Sequence, residues 1–138
     1  MKRKRLTASI IALVMSVSLP MTTYAANWYL EDGSVTVNAD NSGQTVTQGG
    51  GSAVPDEAPV ITQRESSVET GNTIAISTSD NAAANVTIKD INIKSSNDAI
   101  DVKGSSSANI TLEGDNKIFS ETGSALHVSD GNVTINGS

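Results

Sequence analysis

Residues Ala84–Phe119 read ANVTIKDINIKSSNDAIDVKGSSSANITLEGDNKIF, and this stretch decides the fold. It contains two near-copies of one unit. Asn85-Val86-Thr87-Ile88 returns as Asn109-Ile110-Thr111-Leu112 and again, at almost the same interval, as Asn132-Val133-Thr134-Ile135. A second ladder runs beside it at a strictly equal interval: Ile74-Ala75-Ile76, Ile100-Asp101-Val102 and Leu126-His127-Val128. Ile91–Ile93 and Ile118–Phe119 supply a third short strand per unit, and Pro59-Val60-Ile61-Thr62 begins an earlier unit, one such interval before the first Asn segment. A repeat of this length is the mark of a solenoid. Each strand alternates apolar and polar residues, so one face turns inward and the other meets water. A single strand cannot bury its inner residues alone, but stacked coils can, with like residues lying about 4.8 Å above one another.

The alignment predicts inner columns Val86/Ile110/Val133, Ile88/Leu112/Ile135, Ile74/Ile100/Leu126 and Ile76/Val102/Val128. Ser95-Ser96-Asn97-Asp98, Gly104–Ser107 and Ser129–Asn132 are the turns between them. The fold expected is an all-β, right-handed parallel β-helix (a solenoid), its coil length set by the intervals between these motifs. An antiparallel β-sandwich with short strands is the alternative. The Leu periodicity of leucine-rich repeats, the hexapeptide coil and the Gly-Gly-x-Gly-x-Asp calcium repeat are all missing.

Composition agrees with thin strands. After Ala25, Ser, Thr, Asn and Gly make up nearly half of the chain, while Leu, Ile, Val and Phe make up little more than a fifth, nearly all of it Val or Ile. These β-branched residues suit a pleated surface. No helical period persists after Ala26, so helix is not expected.

Residues 1–25 read as a secretory signal peptide. Lys2-Arg3-Lys4-Arg5 is a basic head, Leu6–Leu19 an apolar run, Pro20 a break, and Thr23-Tyr24-Ala25 a small-residue cleavage site, with Ala26 the first residue of the mature chain. The run is shorter than the ~20 residues that span a bilayer. The chain is thus expected outside the cytoplasm, secreted or wall-associated, with no transmembrane segment after cleavage. Four of the nine bases lie in that head, so the remainder carries 5 bases against 15 acids, a net charge of −10. That excludes the basic face of a nucleic-acid binder and the polybasic patch of a membrane-surface protein. With no Cys, disulfides, thiolate metal sites and Cys nucleophiles are excluded.

Residues 26–51 are expected to form N-terminal cap strands (Trp28–Leu30, Ser34–Val37, Gln44–Thr47), residues 52–59 a flexible acidic linker, and residues 60–138 the coils. The chain stops at Ser138 shortly after a coil begins, which predicts further coils of a longer protein.

The run Ala84–Phe119 resembles the pectate-lyase-like β-helix repeats of secreted or surface proteins of Gram-positive (Firmicutes) bacteria, in the class described as carbohydrate-binding domain-containing. Asn27-Trp28-Tyr29-Leu30-Glu31-Asp32-Gly33, followed by Ser34-Val35-Thr36-Val37, is similar to their N-terminal strands. The resemblance covers most of the chain after Ala25. It implies a β-helix outside the cell and, more loosely, a carbohydrate ligand.

Six residues are candidates for ligand binding: Asn97, Asp98, Asp101, His127, Trp28 and Tyr29. Asn97-Asp98-Ala99-Ile100-Asp101 resembles the stretch that carries the acids of β-helical polygalacturonases. The neighbouring Asp pair, Gly-His-Gly and Arg-x-Lys of that family are missing here, so no catalytic residue is assigned. Asp101 and His127 occupy one outward column and are expected about 5 Å apart, as a surface ion pair. Trp28 and Tyr29 carry the rings that stack on sugars, but one of them plugging the coil end is the simpler reading. No cofactor is expected. Asp98, Asp101, Asp115 and Asp130 are dispersed among turns, whereas Ca²⁺ needs six to eight converging oxygens. Asn85, Asn109 and Asn132 also fit glycosylation sequons, but as repeats on stacked strands they predict an Asn ladder.

The function expected is that of a non-catalytic surface module binding a carbohydrate or another extracellular partner. The alternatives are the N-terminal part of a polysaccharide lyase or glycoside hydrolase, and a structural adhesin shaft.

Overall fold

The computed structural model describes residues 25–137. Residues 1–24, which hold all but the last residue of the expected signal peptide, lie outside the described residues. The chain is a parallel β-solenoid of about three turns. A five-stranded sheet runs in the order β1 (Asn27–Tyr29), β5 (Val60–Thr62), β7 (Ala84–Lys89), β10 (Ser107–Glu113), β13 (Asn132–Gly137). A second wall pairs β8 (Asn92–Ser95) with β11 (Lys117–Ser120). The third wall stacks β12 (Leu126–Val128), β9 (Ile100–Gly104), β6 (Ile74–Thr78) and β2 (Val35–Asp40), and continues into β3 (Gly43–Gln48) and β4 (Val54–Pro55). Among the described residues, every pairing between coils is parallel, and only β2–β3 and β3–β4 are antiparallel. The sandwich alternative is therefore excluded.

The third wall forms the columns Val35/Ile74/Ile100/Leu126 and Val37/Ile76/Val102/Val128, as the alternation requires. The first wall stacks differently from the sequence alignment. Val86 and Ile110 superpose, but the next residue in that column is Ile135, not Val133. Val133 lies over Ala108 and Ala84, and the residue above Leu112 is Gly137. The expected Asn column is broken too: Asn109 donates to Asn85 Oδ1 at 3.0 Å, yet Asn132 lies opposite Ser107 and Thr134 opposite Asn109. Aligning by the Asn-x-Thr motif ignored the corner that precedes it. Seven residues separate Ile76 from Ala84, five separate Val102 from Ala108, and four separate Val128 from Val133. A two-residue slip keeps every side chain on its own face, so alternation alone does not detect it. The earlier coil is also offset, by one residue: Ile61, fully buried, stacks on Ile88, and Val60 faces Thr87.

The N-terminal segment also departs from expectation. The three expected strands form as β1, β2 and β3, but β1 and β2 stack in parallel on β5 and β6, so the coils begin before Val60; β2 also opens the capping hairpin, and Leu30–Asp32 is a 3-10 turn. The cap is the hairpin β2–β3 with β4. The stretch read as a flexible linker contributes β4 and the fully enclosed Asp56. Three side-chain amides close backbone groups that lack a preceding strand. Gln44 donates to Asn85 O at 3.0 Å and accepts from Asn85 N at 2.8 Å. Gln63 accepts from Asn92 N, and Gln48 donates to Tyr29 O and Gly33 O. Trp28 lies over Ile61 and heads the Ile61/Ile88/Leu112 column. The opposite end has no such closure among the described residues: Ile100, Ile110, Leu112, Ile118, Leu126 and Ile135 border an open apolar hollow, and Ile135 is 50% exposed.

Two measurements test this arrangement. The chain has no native Cys, so engineered pairs report register. Asn109→Cys with Thr134→Cys should oxidise to a disulfide, while Asn109→Cys with Asn132→Cys should not, since the offset along the strand carries the Cα atoms beyond about 7 Å. Gly104 has φ +125°, and a Cβ there would run into the Thr78 backbone. Gly104→Ala should cost about 2 kcal/mol or more in chemical denaturation. Gly50→Ala, which meets open space, should be near neutral.

Candidate functional site

Inward Ile100 and Val102 force Asp101 outward from β9, and Leu126 and Val128 do the same for His127 on β12. The register Ala75/Asp101/His127 then stacks the imidazole on the carboxylate. His127 Nδ1 lies 2.9 Å from Asp101 Oδ1. Asp98, in the corner before β9, joins the pair: its Oδ2 is 3.5 Å from the same nitrogen, and its Oδ1 accepts from Ser124 N at 2.7 Å. That second bond holds the Asp98 side chain toward the following coil. The hydrogen bond to Asp101 raises the His127 pKa above its ordinary value of 6.5, partial desolvation opposes it, and the charges of Asp98 and Asp101 add to the rise.

One ligand atom from each of the three residues lies within 4.8 Å of the others. An imidazole with two carboxylates is a donor set that suits divalent transition ions. Two carboxylates fall short of the oxygens that Ca²⁺ requires. Asp115 is not part of the cluster: it lies in the corner beside Asp90, whose Oδ1 accepts from the Asp115 backbone N–H at 3.0 Å. With His127 protonated and both carboxyls ionised, the three side chains carry one net negative charge.

The six candidates from sequence do not form one site. Asp98, Asp101 and His127 converge near the open end. Asn97, one residue away, is exposed and makes its bonds through its backbone: its N–H donates to Ser95 Oγ at 3.0 Å and its carbonyl accepts from Ser120 Oγ at 2.7 Å. Trp28 and Tyr29 lie at the other end of the stack. The Trp28 indole N–H donates to Asp56 Oδ2 at 2.8 Å. The Arg64 guanidinium sits 4.1 Å from the Tyr29 ring centroid and pairs with both Asp32 oxygens at 2.8 and 2.7 Å. Those bonds hold the Asp32 carboxyl below the usual carboxylate range. Both rings are therefore occupied within the fold.

Sequence reasoning missed Asp56 and the contribution of Asp98 to the His127 pair. The Asp98 link was within reach, because the corner of one coil must meet the strand of the next. Asp56 gave no signal, since it stands alone between Pro55 and Glu57 with no periodic context.

No family model, no curated protein and no solved structure matches the chain.

The cluster sets a pH dependence. A histidine whose folded pKa is raised adds stability that is full below about 6.5, its unfolded value, and is lost as pH rises through the folded value. NMR titration of the His127 ring should give a pKa above the ordinary one, and Asp101→Asn should move it back down. A native titration at or below the ordinary value would refute the pairing.

Proposed function

We propose that this chain is a secreted, non-catalytic β-solenoid module that binds a polysaccharide along its polar outer faces. The observation that carries the reading is the in-register repetition of outward polar side chains. Asn85 and Asn109, Thr87 and Thr111, and Asp101 and His127 recur at strand spacing on successive coils. An extended polymer presents groups at regular intervals to such a ladder. Net charge narrows the ligand class. With 5 bases against 15 acids after Ala25, polyanionic chains are repelled, and neutral or cationic glycans are the matching ligands. The basic head, apolar run and small-residue site at residues 1–25 support export. A second reading, a structural shaft, is favoured by the open apolar end, which would suit continuation of the stack.

A glycan array probed with the chain lacking residues 1–25 tests the binding reading. Retention on neutral or cationic glycans is expected, and replacing Asp101 and His127 by Ala should weaken it at least severalfold on the cationic ones. Retention on no glycan, or only on polyanionic ones, would refute the polysaccharide reading and leave the shaft.

A further inference from the structure

Asp56 is 1% exposed. Its Oδ1 accepts from Ala58 N at 3.1 Å. Its Oδ2 accepts from the Trp28 indole at 2.8 Å and from Ala26 N at 3.2 Å. Among the described residues, no Lys, Arg or His side chain pairs with it. An enclosed carboxylate with neutral donors and no cation is costly, and such groups are ordinarily paired. Strands β3, β4 and β5 carry no ionisable side chain. Nearby, Glu57 accepts from Gln44 N, and Tyr29 lies under Arg64, which pairs with Asp32. None of these supplies the missing positive charge.

Ala26 is the residue that the targeting pattern makes the first of the mature chain. It is already docked: its carbonyl accepts from Val60 N at 2.9 Å, which sets it at the head of the first wall, and its nitrogen faces Asp56. We propose that Asp56 is a receptor for the α-ammonium group released when the chain is cut between Ala25 and Ala26, and that removal of the signal peptide thereby locks the N-terminal end of the solenoid. The inference rests on the secretory reading of residues 1–25. The step is a hydrolysis by a signal peptidase: water adds across the Ala25–Ala26 peptide bond, Ala25 leaves with the new carboxylate, and Ala26 keeps its nitrogen and gains protons. One neutral N–H donor becomes a cation with three, at the same position. With the Ala25–Ala26 bond intact, the donors to Asp56 among the described residues are all neutral, so the first rung is less firmly held than after the cut. A cut one residue away would displace the amine by about 3.5 Å and lose the pairing.

The lock is read by comparing three chains. One begins at Ala26 with a free amine. The second has the same amine acetylated, which keeps an N–H facing Asp56 and removes the charge. The third retains Ala25. At pH 7 the free-amine chain should have an unfolding constant at least about tenfold smaller than either other chain, since about one pH unit of pKa change corresponds to tenfold. Its α-amino group should titrate above the ordinary range of about 7.7–8.0. The advantage should be complete below that range and fade as pH rises through the raised value. Asp56→Asn should remove the difference between free and acetylated chains; should that variant not fold, the acetylation comparison alone decides. Equal stability of free and acetylated chains at pH 7 would overturn the ion pair. Secretion of the full precursor, followed by N-terminal sequencing, tests the cut itself. A start at Ala26 is expected, and any other start overturns the processing step independently of the stability result.

Discussion

Parallel, in-register stacking of short strands is the constraint from which the structure follows. No coil of this chain has enough apolar volume to bury itself. Val35, Ile74 and Ile100 are enclosed because each lies in a column of like residues on neighbouring strands. The outer surface obeys the same constraint. Once Ile100 and Leu126 are superposed, Asp101 and His127 have no choice but to meet. The polar cluster is thus a product of the core's register, and a change that shifted the columns would dissolve it.

Stacking solves burial everywhere except at the two ends, and the ends are treated differently. At the N-terminal end the amides of Gln44, Gln48 and Gln63 stand in for absent strands, the β2–β3 hairpin covers the third wall, and the Trp28 ring covers a column. The Asn85, Asn92 and Tyr29 backbone groups that would otherwise template association are satisfied this way. At the other end Leu126, Val128 and Ile135 lie at the tops of their columns with reduced cover. Among the described residues, then, polar groups close the first coil, while the last coil presents apolar column ends.

The solenoid, its three walls and the two columns of the third wall were legible in the sequence, because evenly spaced motifs with β-branched alternation admit few other solutions. The Asp101–His127 contact was legible for the same reason. What escaped was whatever depends on corner length. The placement of Val133 and Asn132 turned on a corner of four residues after Val128 where the motif alignment leaves only two, and nothing in strand alternation registers a slip of two. The N-terminal closure was illegible for another reason. Gln44 and Asp56 act through long-range bonds to Asn85, Trp28 and Ala26, and neither belongs to a repeated motif that would mark it.

The corner between the third and first walls shortens along the axis from seven residues to five to four while the columns on either side stay aligned. Circumference is fixed by the strands, and this edge absorbs the difference. Doubling a flexible loop costs only about 0.6 kcal/mol in closure entropy. A foreign peptide spliced between Thr78 and Ala84 would therefore project from the side of the molecule without disturbing the rungs, which makes that edge a natural place for such a scaffold to diversify what it displays.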